Sequence, residues 1–389
     1  MVKKYLLLFF ILIISLHTFS QDSAYINFLL KRIYEQQVKA DDYFMPGIFP
    51  SYISRHEEFS TKKKDNTIFY NVLTDYVLSD FYNNLSAAGK IIADSIHART
   101  KKILPSFKNQ KGRNTYNYWR TDSAFKFPYT WWIPLLRGHV TLPDDMDDTV
   151  LGLLANEAPD SSAEALHQLM QQFIHNGSKL KTTFTTYRNY KTYSTWFGKK
   201  VPVVFDVCVL SNVLSFVQQY HLPFTAADSA AIALLAKTIE SGDYIKHPQF
   251  VSPYYGKTSL ILYHLSRLMS TGKIEALEKL KPQLLNEAIQ QCSHSNNILE
   301  KIILSSALMK WGQSPAAFAL PPISEIEKQI EQNPLPFFIG NIPSYLKQPL
   351  KENMINRKML LFYHYCPAWN DALLLEYLLL KHPHPLKGS

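Results

Sequence analysis

The feature that most limits how this chain can fold is a succession of apolar segments of helical period that fall into pairs. Apolar residues recur at a spacing of 3.6, and strand-like alternation is sparse. An opening helix is expected over about 23–40. The pairs are then 68–82 with 87–104, 147–157 with 161–175, 206–220 with 225–241, 255–270 with 272–292, 296–312 with 323–333, and 352–366 with 369–382. The first member of most pairs is apolar around much of its circumference, and the second usually carries a charged stripe. Helices apolar all round are buried and amphipathic ones coat them. Short links make the partners antiparallel. The pattern predicts an all-α fold of six inner and six outer helices, an (α/α)6 toroid with an N-terminal helix. No sequence repeat accompanies it, so the repetition is structural.

The first residues, MVKKYLLLFFILIISLHTFSQ, place Lys3 and Lys4 ahead of an apolar run from Tyr5 to Leu16. Small and polar residues follow, up to Ser20 and Gln21. That is the layout of a secretory signal peptide, with an apolar run short for a membrane span. Residues 1–20 are expected to be removed near Ser20, leaving 21–389 as one exported domain, periplasmic or secreted. Retention as an N-terminal anchor is the competing outcome. Without the two leader lysines the net charge falls from +9 to +7. The charge lies in small clusters, such as Lys62-Lys63-Lys64 and Lys199-Lys200, and not in a stripe. This argues against a nucleic-acid partner and leaves a weak peripheral attraction to anionic lipid or glycan. Cys208, Cys292 and Cys366 stand far apart in apolar segments, without metal-ligand or disulfide spacing. Stability must come from a core, which 46% hydrophobic and 13% aromatic residues supply.

One stretch combines chemistry with position. TLPDDMDDTVLGLLA (141–155) sets four carboxylates in five positions directly before an apolar helical run. Pro143 ahead of them puts the acids at a helix start. An aspartate there caps free backbone N–H groups and complements the helix dipole. Asp206, before VCVLSNVL, has the same position. In the expected ring every inner helix runs the same way, so residues 144–148, 205–206, 253–255, 295–297 and 351–353 share one rim. The loop NYWRTDSAFKFPYTWWIPLLRGHV brings Tyr118, Trp119, Tyr129, Trp131, Trp132 and His139 to it. The segment TWFGKKVPVVFD (195–206) is placed to act as a lid. His264 and Arg267 share a helix face and are expected as a hydrogen-bonded pair in the wall. Asn212 is a buried polar residue that needs a partner.

Asp145-Met146-Asp147-Asp148-Thr149 resembles the DxDD(T) signature of class II terpene cyclases, within the terpenoid cyclase and prenyltransferase-like toroid superfamily. QxxxGxW repeats, usual in squalene–hopene cyclases, are absent. The resemblance implies that Asp147 protonates an alkene or epoxide while Asp145 and Asp148 tune it, with no cofactor and no metal. It implies an aromatic pocket for a small apolar ligand, shaped by Tyr129, Trp131, Trp132, Tyr254 and Tyr255, with His139 orienting Asp147. Residues 144–148 also fit the DDxxD motif of class I terpene synthases, but there the acids project from within a helix, and no NDxxSxxxE motif accompanies it. The expected function is acid-initiated cyclisation or isomerisation of an isoprenoid-like substrate by an exported protein. Two alternatives are a carbohydrate-active or carbohydrate-binding toroid using Asp147 and Asp206, and a non-catalytic binding protein in which the acids are only caps.

Overall fold

The computed structural model of the protein describes residues 22–122, 143–175, 180–198 and 201–382. The expected signal peptide lies outside the described residues. No described helix is long and apolar enough to cross a membrane.

The chain is mostly helical, with one small antiparallel sheet. Helix α1 (22–36) leads into strands β1 (Ser51–Ser54) and β2 (Lys63–Asp65). Then come α2 (Phe69–Asp80), α3 (Ala87–Ile103), α4 (Met146–Ala155), α5 (Asp160–Met170), α6 (Val207–Gln219) and α7 (Ala226–Glu240). Next are α8 (Thr258–Thr271), α9 (Lys281–His294), α10 (Ile298–Lys310) and α11 (Ile323–Gln332). Strands β3 (Phe338–Asn341) and β4 (Leu361–Tyr365) precede the last helix, α12 (Pro367–Lys381).

Burial divides these helices into two kinds. In α8, 12 of 14 residues are buried, whereas in α9 only Leu284, Ala288 and Cys292 are, four apart on one face. The buried kind pack in sequence: α2 on α4, α4 on α6, α6 on α8, α8 on α10, α10 on α12, and α12 back on α2. The amphipathic kind lie against them, α3 on α2 and α4, α7 on α6, α9 on α8 and α10, and α11 on α10. All three cysteines are free and buried.

The sixth pair departs from the sequence expectation. Residues 352–366 do not form an inner helix: a short turn of helix, Leu350–Met354, is followed by β4. The buried helix that packs between α10 and α2 is instead α12, expected as an outer helix. Pro367 cannot continue a helix from the preceding residues but fits a first helical turn. The run ALLLEYLLL that follows is apolar all round, which demands burial on every side. Leu-Phe-Tyr-His-Tyr, rich in aromatics, suits a buried strand. Helix α1, from the opposite end of the chain, is tied to α12. Arg32 Nε meets Asp371 Oδ2 at 2.7 Å, and Gln36 donates to the same oxygen at 2.5 Å.

The sheet, in the order β2-β1-β4-β3, was not expected. His364 stands opposite both Ile53 and Phe338. Ile339 N donates to Tyr254 O at 2.7 Å, and the Phe338 ring lies 5.2 Å from Phe69. The sheet therefore sits over the start of α2 and the turn before α8.

Arg32→Ala leaves Asp371 in the core without its cation. Burial pushes the Asp371 carboxyl up to about 7 even with Arg32 beside it. A raised folded-state pKa means that stability falls as pH rises through that value. The substitution is expected to cost about 3 kcal/mol at pH 8 and less at pH 5.5, where the carboxyl is neutral. Urea unfolding at the two pH values measures both numbers, and equal stability of variant and parent would remove this tie between the chain ends.

Candidate functional site

The acidic run ends in four different environments, all buried. Its backbone is clamped on two sides: Met146 N donates to Thr195 O at 2.8 Å, and Phe197 N donates to Asp144 O at 2.9 Å. Asp144 Oδ2 accepts from Asn109 at 2.6 Å, Thr115 at 2.6 Å and Arg113 at 3.0 Å, which ties down the preceding loop. Asp145 is the N-cap of α4 and accepts from Asp148 N at 2.7 Å. That much is the capping role expected of such residues.

Asp147 does something else. Its Oδ1 accepts from Asn212 Nδ2 of α6 at 2.6 Å, and its Oδ2 accepts from the Tyr255 hydroxyl ahead of α8. Neither oxygen bonds to a backbone N–H of its own helix turn among the described residues. Burial pushes the carboxyl up; the Tyr255 and Asn212 hydrogen bonds and the Arg267 charge oppose this without cancelling it. Asp148 is more extreme. Both of its oxygens are buried and accept no hydrogen bond. Burial and the neighbouring Asp145 hold it well above the ordinary carboxylate range. A carboxyl in that setting keeps its proton and can donate it to Asp145. Asp145 itself is pushed up to about 7, by burial first and the Asp147 charge after it.

Asp206 caps α6 and is fully engaged. Oδ1 accepts from Ser252 Oγ at 2.7 Å, Cys208 N at 2.9 Å and Val209 N at 3.3 Å, and Oδ2 accepts from Tyr254 N at 2.9 Å. Burial lifts it to about 6 all the same. The Tyr254 hydroxyl is bonded to Trp196 Nε1 at 3.1 Å and Ser344 Oγ at 3.2 Å. Trp196 and Phe197 are buried, so this part of the expected lid is a packed clamp on the start of α4. Tyr129, Trp131, Trp132 and His139 lie outside the described residues.

The aromatic cluster around Tyr255 includes Phe337, from a segment the sequence did not single out. Its ring lies 4.9 Å from Trp369, 5.6 Å from His264, 5.7 Å from Tyr255 and 6.0 Å from Tyr263. Paired phenylalanines between prolines and a strand, NPLPFFIG, were the available signal. Nor are His264 and Arg267 the expected satisfied pair. His264 Nδ1 donates to Leu260 O at 2.8 Å, which leaves Nε2 as an acceptor without a partner. Burial and the Arg267 charge press His264 down to about 3, so the ring is neutral. The Arg267 guanidinium lies 4.3 Å from the Tyr76 ring centre. Among the described residues no cluster of His, Cys, Asp and Glu has a metal-holding arrangement.

Comparison with protein-family models, curated proteins and solved structures finds no match. The site must be understood from its own chemistry.

Raised carboxyl pKa values make the folded state bind protons that the unfolded chain, near 3.8, has released. This contribution to stability is largest at low pH and is lost as pH rises through about 6–7. Asp148→Asn presents an amide donor to Asp145 without needing that proton. The variant is expected to match or exceed the parent at pH 8 and to show a shallower loss between pH 5 and 8. Denaturant titrations at both pH values test this; an unchanged slope would mean that Asp148 holds no proton near neutrality.

Proposed function

We propose that the six buried helices form the inner wall of an (α/α)6 toroid, with α3, α5, α7, α9, α11 and α1 outside and the small sheet over one end. The closed cycle of contacts from α2 round to α12 supports this reading. We further propose an exported protein that uses Asp147 as a general acid on an isoprenoid-like apolar substrate, in the manner of class II terpene cyclases. The observation that carries this is a buried Asp147 carboxyl, raised in pKa, held by side chains of α6 and the α8 turn and not committed to its own helix cap.

The chemistry follows from those contacts. A protonated Asp147 gives its proton to one carbon of a C=C bond, whose π electrons form the new C–H bond. The carboxylate left behind is stabilised by Tyr255, Asn212 and the field of Arg267. The carbocation is stabilised by the π-faces of Tyr255, Phe337 and Trp369. Where a second C=C bond of the same molecule adds to the cation, its π electrons form a new C–C bond and close a ring. In either case a proton lost from a neighbouring carbon to the Asp147 carboxylate restores a double bond and the acid, so the reaction is a net cyclisation or isomerisation. The paired-carboxylate reading for a glycan has less support, because Asp206 already accepts four hydrogen bonds.

The test is incubation of residues 22–389 in D2O with a panel of C15 to C30 isoprenoids, followed by mass spectrometry. One solvent deuterium in a product is expected. Asp147→Asn should lower the rate by about 10²–10⁴-fold while its unfolding midpoint stays close to the parent's. A folded parent that turns over no member of the panel, or an Asp147→Asn variant of equal rate, would refute acid catalysis here.

A further inference from the structure

The interior holds a positive charge that the described residues leave without an ion-pair partner. Arg267 of α8 is 3% exposed, and its Nε and Nη1 have no hydrogen-bond partner. The nearby carboxylate of Glu376 on α12 is committed elsewhere: Oε1 meets Lys310 Nζ at 3.1 Å, and Oε2 accepts from the Tyr263 hydroxyl at 2.6 Å. The guanidinium rests over two rings, 4.3 Å from the Tyr76 centre and 5.7 Å from that of Tyr263. Against burial, the hydroxyls of both tyrosines and the Glu376 charge favour its charged form, while Nε and Nη1 stay unmet. Such faces accommodate a cation but do not accept its in-plane N–H groups. A buried charge with unmet donors is among the most costly features a core can carry.

One turn away on the same helix, His264 offers the complementary group. Its Nδ1–H is fixed on Leu260 O, so the unpartnered Nε2 is a hydrogen-bond acceptor. The indole N–H of Trp369 and the amide of Asn370, at the start of α12, are also buried and unmet. Three apart on one helix, the two side chains share a face, and an oxygen ligand lying along it, anionic at one edge and carrying an O–H at another, would accept from Arg267 and donate to His264.

We propose that Arg267 and His264 form a binding site for a small oxyanion bearing a hydroxyl, of the hydrogen-phosphate or carboxylic-acid class. The site does not rest on acid catalysis by Asp147, and it stands or falls separately. If both hold, an anion at Arg267 also relieves the pull that this cation exerts on the Asp147 carboxyl and favours its protonated form.

The test follows thermal unfolding of residues 22–389 with inorganic phosphate, pyrophosphate or acetate, against chloride at equal ionic strength. A saturable rise in the midpoint is expected with at least one oxyanion, and the arms separate phosphate from carboxylate chemistry. Arg267→Met should abolish the rise, and Asp147→Asn should keep it. His264→Phe should weaken it. If Arg267→Met does not fold, Arg267→Gln serves in its place, with phosphorus NMR line broadening on the parent as the independent measure. No saturable shift with any of the three anions, or the same shift in the Arg267 variant, would overturn the site.

Discussion

The contact of α12 with α2 is the constraint on which the rest of the structure depends. Helices such as α8 and α12 have almost no face that tolerates water. A bundle open at one edge would expose part of each terminal helix. Closing the cycle removes the edge, and each buried helix then needs only a neighbour on either side and an amphipathic helix or loop behind it. The Arg32–Asp371 ion pair ties α1, early in the chain, to α12, late in it.

Closure also fixes the electrostatics. Asp145, Asp147, Asp148 and Asp206 lie where water is excluded, and desolvation is the leading cause of each raised pKa. Hydrogen bonds and helix starts act in the opposite direction, and their unequal distribution gives the four acids different characters. Asp206, with four donors, is lifted only to about 6; Asp148, with none, is held well above the ordinary carboxylate range and keeps its proton. One helix start therefore contains a cap, a proton-keeping acid and a carboxyl facing the interior.

Much of the helical frame was legible because burial on all sides leaves a compositional trace. Twelve of the thirteen segments read as helices do lie where periodicity puts them, with ends shifted by several residues. The sixth pair was misassigned because an apolar segment before Pro367 reads equally as buried helix or buried strand. Pairing with β1, more than three hundred residues upstream, decides for the strand, and no local pattern records that. For the site, Asn212 was recognisable as a buried polar residue in need of a partner. That the partner is Asp147 was not, because the two meet only when α4 packs on α6.

The sequence by itself determined all the long helices, the apolar character of α2, α4, α6, α8 and α10, and that acids gather at the start of α4 and α6. Period, proline and capping chemistry act over a few residues and need no tertiary knowledge. Only the tertiary structure decided that α12 is buried between α10 and α2 and tied to α1, that Phe337 joins the aromatic cluster, and that Asp147 faces Tyr255 and Asn212 while Asp145 does the capping. Those outcomes depend on which distant surfaces exclude water together, and desolvation belongs to the assembled core, not to any segment of the chain.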